Sequence, residues 1–208
     1  MDAAKIRLSQ KELELVTNAD WILTKNAIIQ KINQLLGGLQ IKQQQYVEFH
    51  SAKLPGKVSN PMAIGYSSKI SKGENYKGLP YLILDYPRIF DHSTVFAIRT
   101  MFWWGNFFSV TLHLSGTYKK EAEEKLINFY QVLKEKGYYC CKNDDQWEHN
   151  FEADNYVLLS ELNKNYFENL VREKSFIKLA NKIPLQQWDN AEESLLTYFK
   201  QLIELLAD

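Results

Sequence analysis

Cysteine is scarce in this 208-residue chain: there are two, Cys140 and Cys141, and they are adjacent. A disulfide framework needs cysteines that are separated along the chain and can approach each other in space. No paired zinc-type cysteines, HExxH helix or calcium-binding loop occurs. On a helix, Asp145 and His149 would be neighbours, which is only a weak metal pattern. The sequence therefore predicts neither a metal nor a cofactor, and its free thiols indicate a reducing compartment.

Net charge is absent as well, because 25 Lys and Arg residues balance 25 Asp and Glu residues. A global field that would draw the chain to nucleic acid or to an anionic membrane is thereby excluded. No apolar run approaches the roughly 20 residues that span a bilayer, and the N-terminus lacks the apolar core of a secretory signal. We therefore expect a cytoplasmic protein that does not bind a membrane.

Proline and glycine are few, five and nine, and half of them lie in residues 51–80. This clustering predicts a long loop, which carries five lysines against one glutamate, a net charge of +4. Residues 140–175 carry eight acids against four bases, a net charge of −4. We expect either a solvated loop or a loop that pairs with the acidic segment, within one chain or across a homodimer. Tyr76 and Lys77, in the basic segment, are candidate ligand-binding residues.

What the sequence does contain is the composition of a globular protein, with 45% hydrophobic residues. Strand-forming residues dominate 95–104 and 107–114, and the Gly105–Asn106 pair between them is typical of a two-residue hairpin turn. Apolar residues at helical spacing lie on both sides of this hairpin. We predict one α+β domain over residues 1–208, with a mixed or mainly antiparallel sheet and a central hairpin covered by N-terminal, middle and C-terminal helices. The N-terminal helical segment, 8–50, is the part most able to pack as a subdomain.

A two-residue turn would place Trp104 opposite Phe107, and strand alternation then puts Arg99 on one face of the sheet and His113 on the other. Both faces are largely apolar, so we expect central strands that are covered on both sides. Trp104 lies beside the turn, where its indole could reach solvent and stack on a ligand.

Candidate chemistry lies in or beside these strands. The charged and titratable side chains there are Asp85, Arg88, Asp91, His92, Arg99 and His113. Arginine can donate two parallel hydrogen bonds to a carboxylate or phosphate, and histidine exchanges protons near neutral pH. The catalytic candidates are His113 and Asp85, and the anion-binding candidates are Arg88 and Arg99. A structural alternative pairs Arg99 with Asp85 or Asp91 and leaves the histidine hydrogen-bonded inside the fold.

No recognised catalytic spacing occurs, so we expect a non-catalytic protein that binds a small anionic ligand or a protein partner. The candidate ligand-binding residues are Arg88, Arg99, Lys77, Tyr76 and Trp104. One alternative is an enzyme that acts on a phosphorylated or carboxylated small molecule through Arg88 or Arg99 and His113 or Asp85. A second, disfavoured alternative is nucleic-acid binding through residues 51–80, with an affinity that falls steeply as salt rises.

Overall fold

The computed structural model describes residues 6–50 and 68–207. Within these residues the chain forms one seven-stranded sheet and six helices. The strands are β1 (Lys69–Tyr76), β2 (Leu79–Phe90), β3 (Val95–Trp103), β4 (Phe107–Ser115), β5 (Tyr139–Cys141), β6 (Tyr156–Leu158) and β7 (Phe176–Pro184). The helices are α1 (Gln10–Thr17), α2 (Ala19–His50), α3 (Gly116–Asn128), α4 (Tyr130–Glu135), α5 (Lys164–Glu173) and α6 (Ala191–Ala207). Short 3₁₀ turns precede α5 and α6.

The strand order is β1-β2-β3-β4-β7-β5-β6, and every neighbouring pair is antiparallel. Strands β1 to β4 follow one another as a meander, and β7 returns from the C-terminal part of the chain to lie beside β4. The short β5 pairs with β6 on one side and with the middle of β7 on the other. The predicted α+β class, with an antiparallel sheet and a central hairpin, is confirmed.

One face of the sheet packs against the helices and forms the main core. Helix α6 shows how the sequence produces this layer: Leu195, Phe199, Leu202 and Leu206 recur at helical spacing, and all four are buried. Each fully buried leucine contributes roughly 2 kcal/mol of transfer free energy. Alternate residues of β3 and β4 supply the sheet side of this core, which is therefore a continuous apolar layer between sheet and helices.

The central hairpin forms, but its turn has three residues, Trp104–Asn106, rather than two. Trp103 pairs with Phe107, and the Asn106 N–H donates to the Trp103 carbonyl oxygen at 3.1 Å. Gly105 has φ +72°, the value that a type II turn requires at its third position. The predicted two-residue turn is therefore wrong by one residue.

A slip of one residue in register moves all the side chains of a strand to the opposite face of the sheet. Arg99 lies opposite Thr111, and Ala97 lies opposite His113. Arg99 and His113 are therefore on the same face, and the prediction that they lie on opposite faces is wrong. Trp104 contacts the helix-side core, with its ring 6.1 Å from that of Phe102.

The predicted basic loop, 51–80, is only in part described by the structure. Residues 51–67 lie outside the described residues, whereas Lys69–Tyr76 is strand β1, so the loop prediction is wrong for this part. The glycines that favoured a loop have local roles in a hairpin. A Cβ at Gly73 would collide with the ring of Tyr81, and Gly78 has φ +81° in the turn between β1 and β2.

The N-terminal segment consists of α1 and the 32-residue helix α2. Ser9 and Glu12 form a capping box, in which the Ser9 hydroxyl accepts the Glu12 N–H and the Glu12 carboxylate accepts the Ser9 N–H. The second half of α2 packs on the sheet through Ile32, Leu36 and Leu39. Across residues 6–50 and 68–207, no helix has both the length and the apolar character that crossing a bilayer requires.

Candidate functional site

The side of the sheet that faces away from the helices carries a cluster of charged and titratable side chains. Asp85, Arg99, His113 and Lys178 come from four neighbouring strands, β2, β3, β4 and β7. Their register brings them together, because Asp85 pairs with Arg99 and His113 pairs with Lys178. The loop of residues 142–155, which joins β5 to β6, lies over this cluster through several hydrogen bonds. We call this surface the polar face and the loop its cover.

Arg99 is fully engaged within the protein. Its Nε and Nη2 donate to the two carboxylate oxygens of Asp85 at 2.7 and 2.9 Å, the bidentate geometry that guanidinium and carboxylate prefer. Its Nη1 lies 2.7 Å from Nε2 of His149 in the cover. Arginine can only donate, so this ring nitrogen is the acceptor and His149 is neutral. The pairing of Arg99 with Asp85 is the arrangement that the structural alternative predicts.

His113 is buried, His149 is half-buried, and both are in their neutral forms. Burial lowers the pKa of His113 to about 3, and the nearby charge of Lys178 acts in the same direction. Burial likewise holds the pKa of His149 well below its usual value, with the charge of Arg99 as the next cause. The Nε2 atom of His113 lies 3.1 Å from Oε1 of Gln146 in the cover. Among the described residues, the hydrogen-bond partner of the His113 ring is therefore an amide, and no carboxylate there orients it for proton transfer.

Lys178 holds the cover against the sheet. Its side chain is fully buried, and its ammonium donates to the backbone carbonyl oxygens of Gln146, at 3.0 Å, and of Glu148. The ammonium also lies 5.4 Å from the ring centroid of Tyr156. Burial lowers the Lys178 pKa to about 8. This lysine therefore serves as an internal hydrogen-bond donor to two carbonyl groups of the cover.

Two of the predicted ligand-binding residues also hold the cover. The hydroxyl of Tyr76 donates to Glu148 Oε2 at 2.9 Å and accepts the backbone N–H groups of His149 and Asn150 at 2.8 and 2.9 Å. Burial raises the Tyr76 pKa, so this hydroxyl keeps its proton. The described ends of the basic and acidic segments therefore meet within one chain.

The exposed ion pair between Lys77 and Glu152 adds a second link between these segments, with Nζ and Oε2 3.1 Å apart. The charge of Lys77 is thus balanced by a carboxylate of the same chain.

The other predicted residues lie at the margin of the polar face. The guanidinium of Arg88 lies 5.8 Å from the ring centroid of Phe90, and no ion pair involves Arg88 in the part of the chain that the structure describes. Asp91 and His92 are exposed in the β2–β3 loop and line a cavity of about 160 Å³. The lining of this cavity includes Gln146 of the cover but neither Arg99 nor His113. Asp85, Arg99 and His113 are therefore linked directly or through the cover. Arg88 pairs with Ala97 and so shares their face, Asp91 and His92 follow the end of β2, and Trp104 lies on the helix side.

Sequence reasoning missed His149 and Lys178 as members of this cluster. The position of Lys178 could have been recognised, because it is the one charged residue in the five-residue apolar stretch 176–180 of a predicted strand. The position of His149 could not have been recognised, because the cover has no helical or strand periodicity and contacts the sheet only through tertiary interactions. The cover also has no helix at its positions 142–155, so the helical pairing of Asp145 with His149 does not form.

Exposed apolar side chains mark a second surface, the N-terminal arm, which we define as residues 8–23. Leu8 is 56% exposed, Trp21 is 50% exposed and Leu23 is 60% exposed. An apolar groove of about 630 Å³ lies between α1 and the start of α2, lined in part by Leu15, Val16 and Trp21. Large contiguous apolar patches on soluble proteins are typical of interaction sites.

No protein-family model, curated protein or solved structure matches this chain.

Proposed function

We propose that this protein is a non-catalytic interaction protein and that its N-terminal arm binds a protein partner. The partner we propose is a second copy of the same chain. The observation that carries the proposal is the set of large apolar side chains that the arm leaves uncovered: Leu8, Leu13, Leu15, Val16, Trp21, Ile22 and Leu23. We also propose that the protein is cytoplasmic, because the thiols of Cys140 and Cys141 are free and a reducing compartment keeps thiols free.

Helix α1 supports the proposal because it has little to stabilise it within one chain. It has eight residues and none of them is buried. An isolated helix of fewer than about 12 residues is marginal in water, because nucleation is costly and most helical stability comes from packing. The capping box of Ser9 and Glu12 adds about 1 kcal/mol, which is less than a helix of this length needs. A surface that packs on α1 from outside the chain supplies the missing stabilisation.

The apolar area of the arm is sufficient for self-association. Its seven apolar side chains leave roughly 600 Å² exposed, since each is about half exposed and a large side chain presents on the order of 150–200 Å². Two copies would bury at most about 1,200 Å² in total, the lower end of the range for stable interfaces. The arm carries Lys11 against Glu12, Glu14 and Asp20, a net charge of −2, so apolar contact and not charge would hold two copies together.

The polar face supports a non-catalytic role. An enzyme acting on an anionic substrate would need Arg99 free to grip the anion and His113 or Asp85 free to move protons. Arg99 and Asp85 are instead paired with each other, and His113 is bonded to the cover. These groups act as the internal polar layer that attaches the cover to the sheet.

The test is the molar mass in solution as a function of concentration, measured by light scattering and by sedimentation equilibrium. We expect the mass to rise from one chain to two. The double variant Trp21→Lys, Leu23→Lys should weaken association at least tenfold, because it places four charges in each dimer interface. Val132→Lys is the matched control, since Val132 is also exposed on a helix but lies outside the arm.

Circular dichroism checks that the substituted proteins keep the sheet and the helices other than α1, which loses its packing surface when the two copies separate. The proposal is overturned if the molar mass is that of one chain at every concentration up to about 1 mM. A dimer with a Kd above about 1 mM would gain less than about 4 kcal/mol from association. Equal weakening by Val132→Lys would assign the association to a surface other than the arm.

A further inference from the structure

The cover, residues 142–155, is attached to the sheet by side-chain contacts and not by strand pairing. It contains no helix or strand, and only its two ends continue into β5 and β6. The Tyr76 hydroxyl on β1 accepts the backbone N–H groups of His149 and Asn150, and Lys178 on β7 donates to two carbonyl oxygens of the cover. A loop held in this way can leave the sheet while every strand pair stays intact.

The contact between Arg99 and His149 requires a neutral histidine. Nη1 of Arg99 donates to Nε2 of His149 at 2.7 Å, and a protonated imidazole has no lone pair left to accept this hydrogen bond. Both carboxylate oxygens of Asp85 already accept hydrogen bonds from Arg99. A proton on His149 would therefore replace an attractive contact by two cations at hydrogen-bond distance, and the closed cover excludes it.

His113 is the second histidine beneath the cover, and its surroundings are cationic as well. Lys178 pairs with it across β4 and β7, and Arg88 shares its face of the sheet, since both pair with Ala97. In the described part of the chain, no carboxylate is bonded to the ring of His113 or of His149. Glu148 of the cover instead accepts from Tyr76 and Asn150. The other titratable groups around this cluster are Cys141, Asp145 and Tyr156.

We propose that the cover is a proton-sensitive lid, which opens from the sheet as His113 and His149 each take up a proton. Opening separates His149 from Arg99 and exposes both imidazoles to water, where each can bind a second proton. The open form presents the charges of Arg99, His113 and Lys178 against a single carboxylate. This device is separate from the N-terminal arm and rests on different observations, so either proposal can fail without the other.

Proton linkage gives the size of the effect. Burial lowers the pKa of His113 to about 3 in the closed form and holds that of His149 well below its usual value, whereas both return towards 6.5 in the open form. Below pH 6.5 the open form therefore binds more protons than the closed form, so a falling pH favours opening. Between pH 7 and pH 5 each histidine should raise the opening constant, the ratio of open to closed cover, about 25-fold, and the two together about 600-fold.

The test is amide hydrogen exchange at pH 7 and at pH 5, with the rate of each amide divided by its intrinsic rate at that pH. The reporters are the N–H groups of His149 and Asn150, because they are bonded to Tyr76 and are released when the cover leaves the sheet. Amides in the middle of β3 and β4 report unfolding of the whole sheet. We expect the reporters to open more often than these strands at both pH values, and their opening constant to rise about 600-fold. The range ends above the ordinary pKa of carboxylic acids, so that histidine is the group that titrates.

Two variants each remove one of the titrating groups. His149→Gln keeps an oxygen that can accept the Arg99 N–H, and His113→Phe keeps an aromatic ring against Trp147. Each should reduce the rise from about 600-fold to about 25-fold. His50→Gln is the matched control, since His50 stacks on Tyr46 on the helix side of the sheet, and it should keep the full rise. Only the ratio between the two pH values is compared, so a change in the opening constant at pH 7 does not affect the test.

The proposal is overturned if the reporters and the amides of β3 and β4 have the same opening constant at both pH values, because the cover then leaves only when the whole sheet unfolds. It is also overturned if both histidine variants keep the full rise, or if His50→Gln reduces it equally. If one of the two histidine variants does not fold, the other decides the matter. All measurements use one protein concentration, so they are distinct from the test of the arm.

Discussion

His113 should make the fold less stable as the pH falls. It is 4% exposed, and burial beside Lys178 lowers its pKa from 6.5 to about 3. Between these values the unfolded chain takes up a proton that the folded chain does not, so stability falls as the pH drops below about 6.5. Between pH 7 and pH 4.5 this loss amounts to about 2.5 kcal/mol, at 1.36 kcal/mol for each pKa unit. His149, whose pKa is lowered for the same reason, adds to the loss.

The assay is urea unfolding at pH 7 and at pH 4.5, for the unsubstituted protein and for His113→Phe. Phenylalanine keeps an aromatic ring against Trp147 and Phe176 but cannot bind a proton. The variant should lose about 2.5 kcal/mol less than the unsubstituted protein between the two pH values. His92→Phe is the control, because His92 is exposed and the substitution removes one imidazole from the chain. Equal losses for the unsubstituted protein and His113→Phe would show that His113 does not cause the loss of stability.

Three further predictions concern the buried cation, the buried ion pair and two glycines. Burial lowers the Lys178 pKa to about 8, so this group should add about 2 kcal/mol of stability between pH 8 and pH 10, and Lys178→Met should lose that gain in the same urea assay. Asp85→Ala removes the carboxylate partner of the largely buried Arg99 guanidinium and should cost about 3 kcal/mol in urea, whereas Lys77→Ala breaks only an exposed pair and should have little effect. Gly116→Ala should lower the melting temperature more than Gly137→Ala, because both have positive φ but only a Cβ at Gly116 would lie 2.5 Å from a backbone oxygen.

The central hairpin can be predicted from the sequence to within one residue, because its two strands are long and rich in strand formers. The register cannot, because Gly105–Asn106 fits a two-residue turn as well as the end of a three-residue turn. The choice is made by pairing with β2, the preceding strand, and with β7, which lies far away in sequence. That single residue decides whether Arg99 and His113 share a face, so a local ambiguity becomes an error about the candidate site.

The polar face can be predicted only in part. The pairing of Arg99 with Asp85 follows from opposite charges on neighbouring strands, and the sequence anticipates it as the structural alternative. The contacts of Arg99 with His149 and of Tyr76 with Glu148 do not follow, because they join residues 50 and 72 positions apart through an irregular loop. Opposite charge in two segments predicts attraction between them, but it does not distinguish a contact within one chain from a contact between two.

We propose that the N-terminal arm is a docking surface, whereas the polar face is closed by its cover. Amide hydrogen exchange measured over a range of protein concentrations tests both parts at once. We predict that exchange in α1 and in the first turns of α2 slows as concentration rises through the dissociation constant. Exchange in the cover, residues 142–155, should be the same at every concentration. Arm exchange that is fast and independent of concentration would contradict the account.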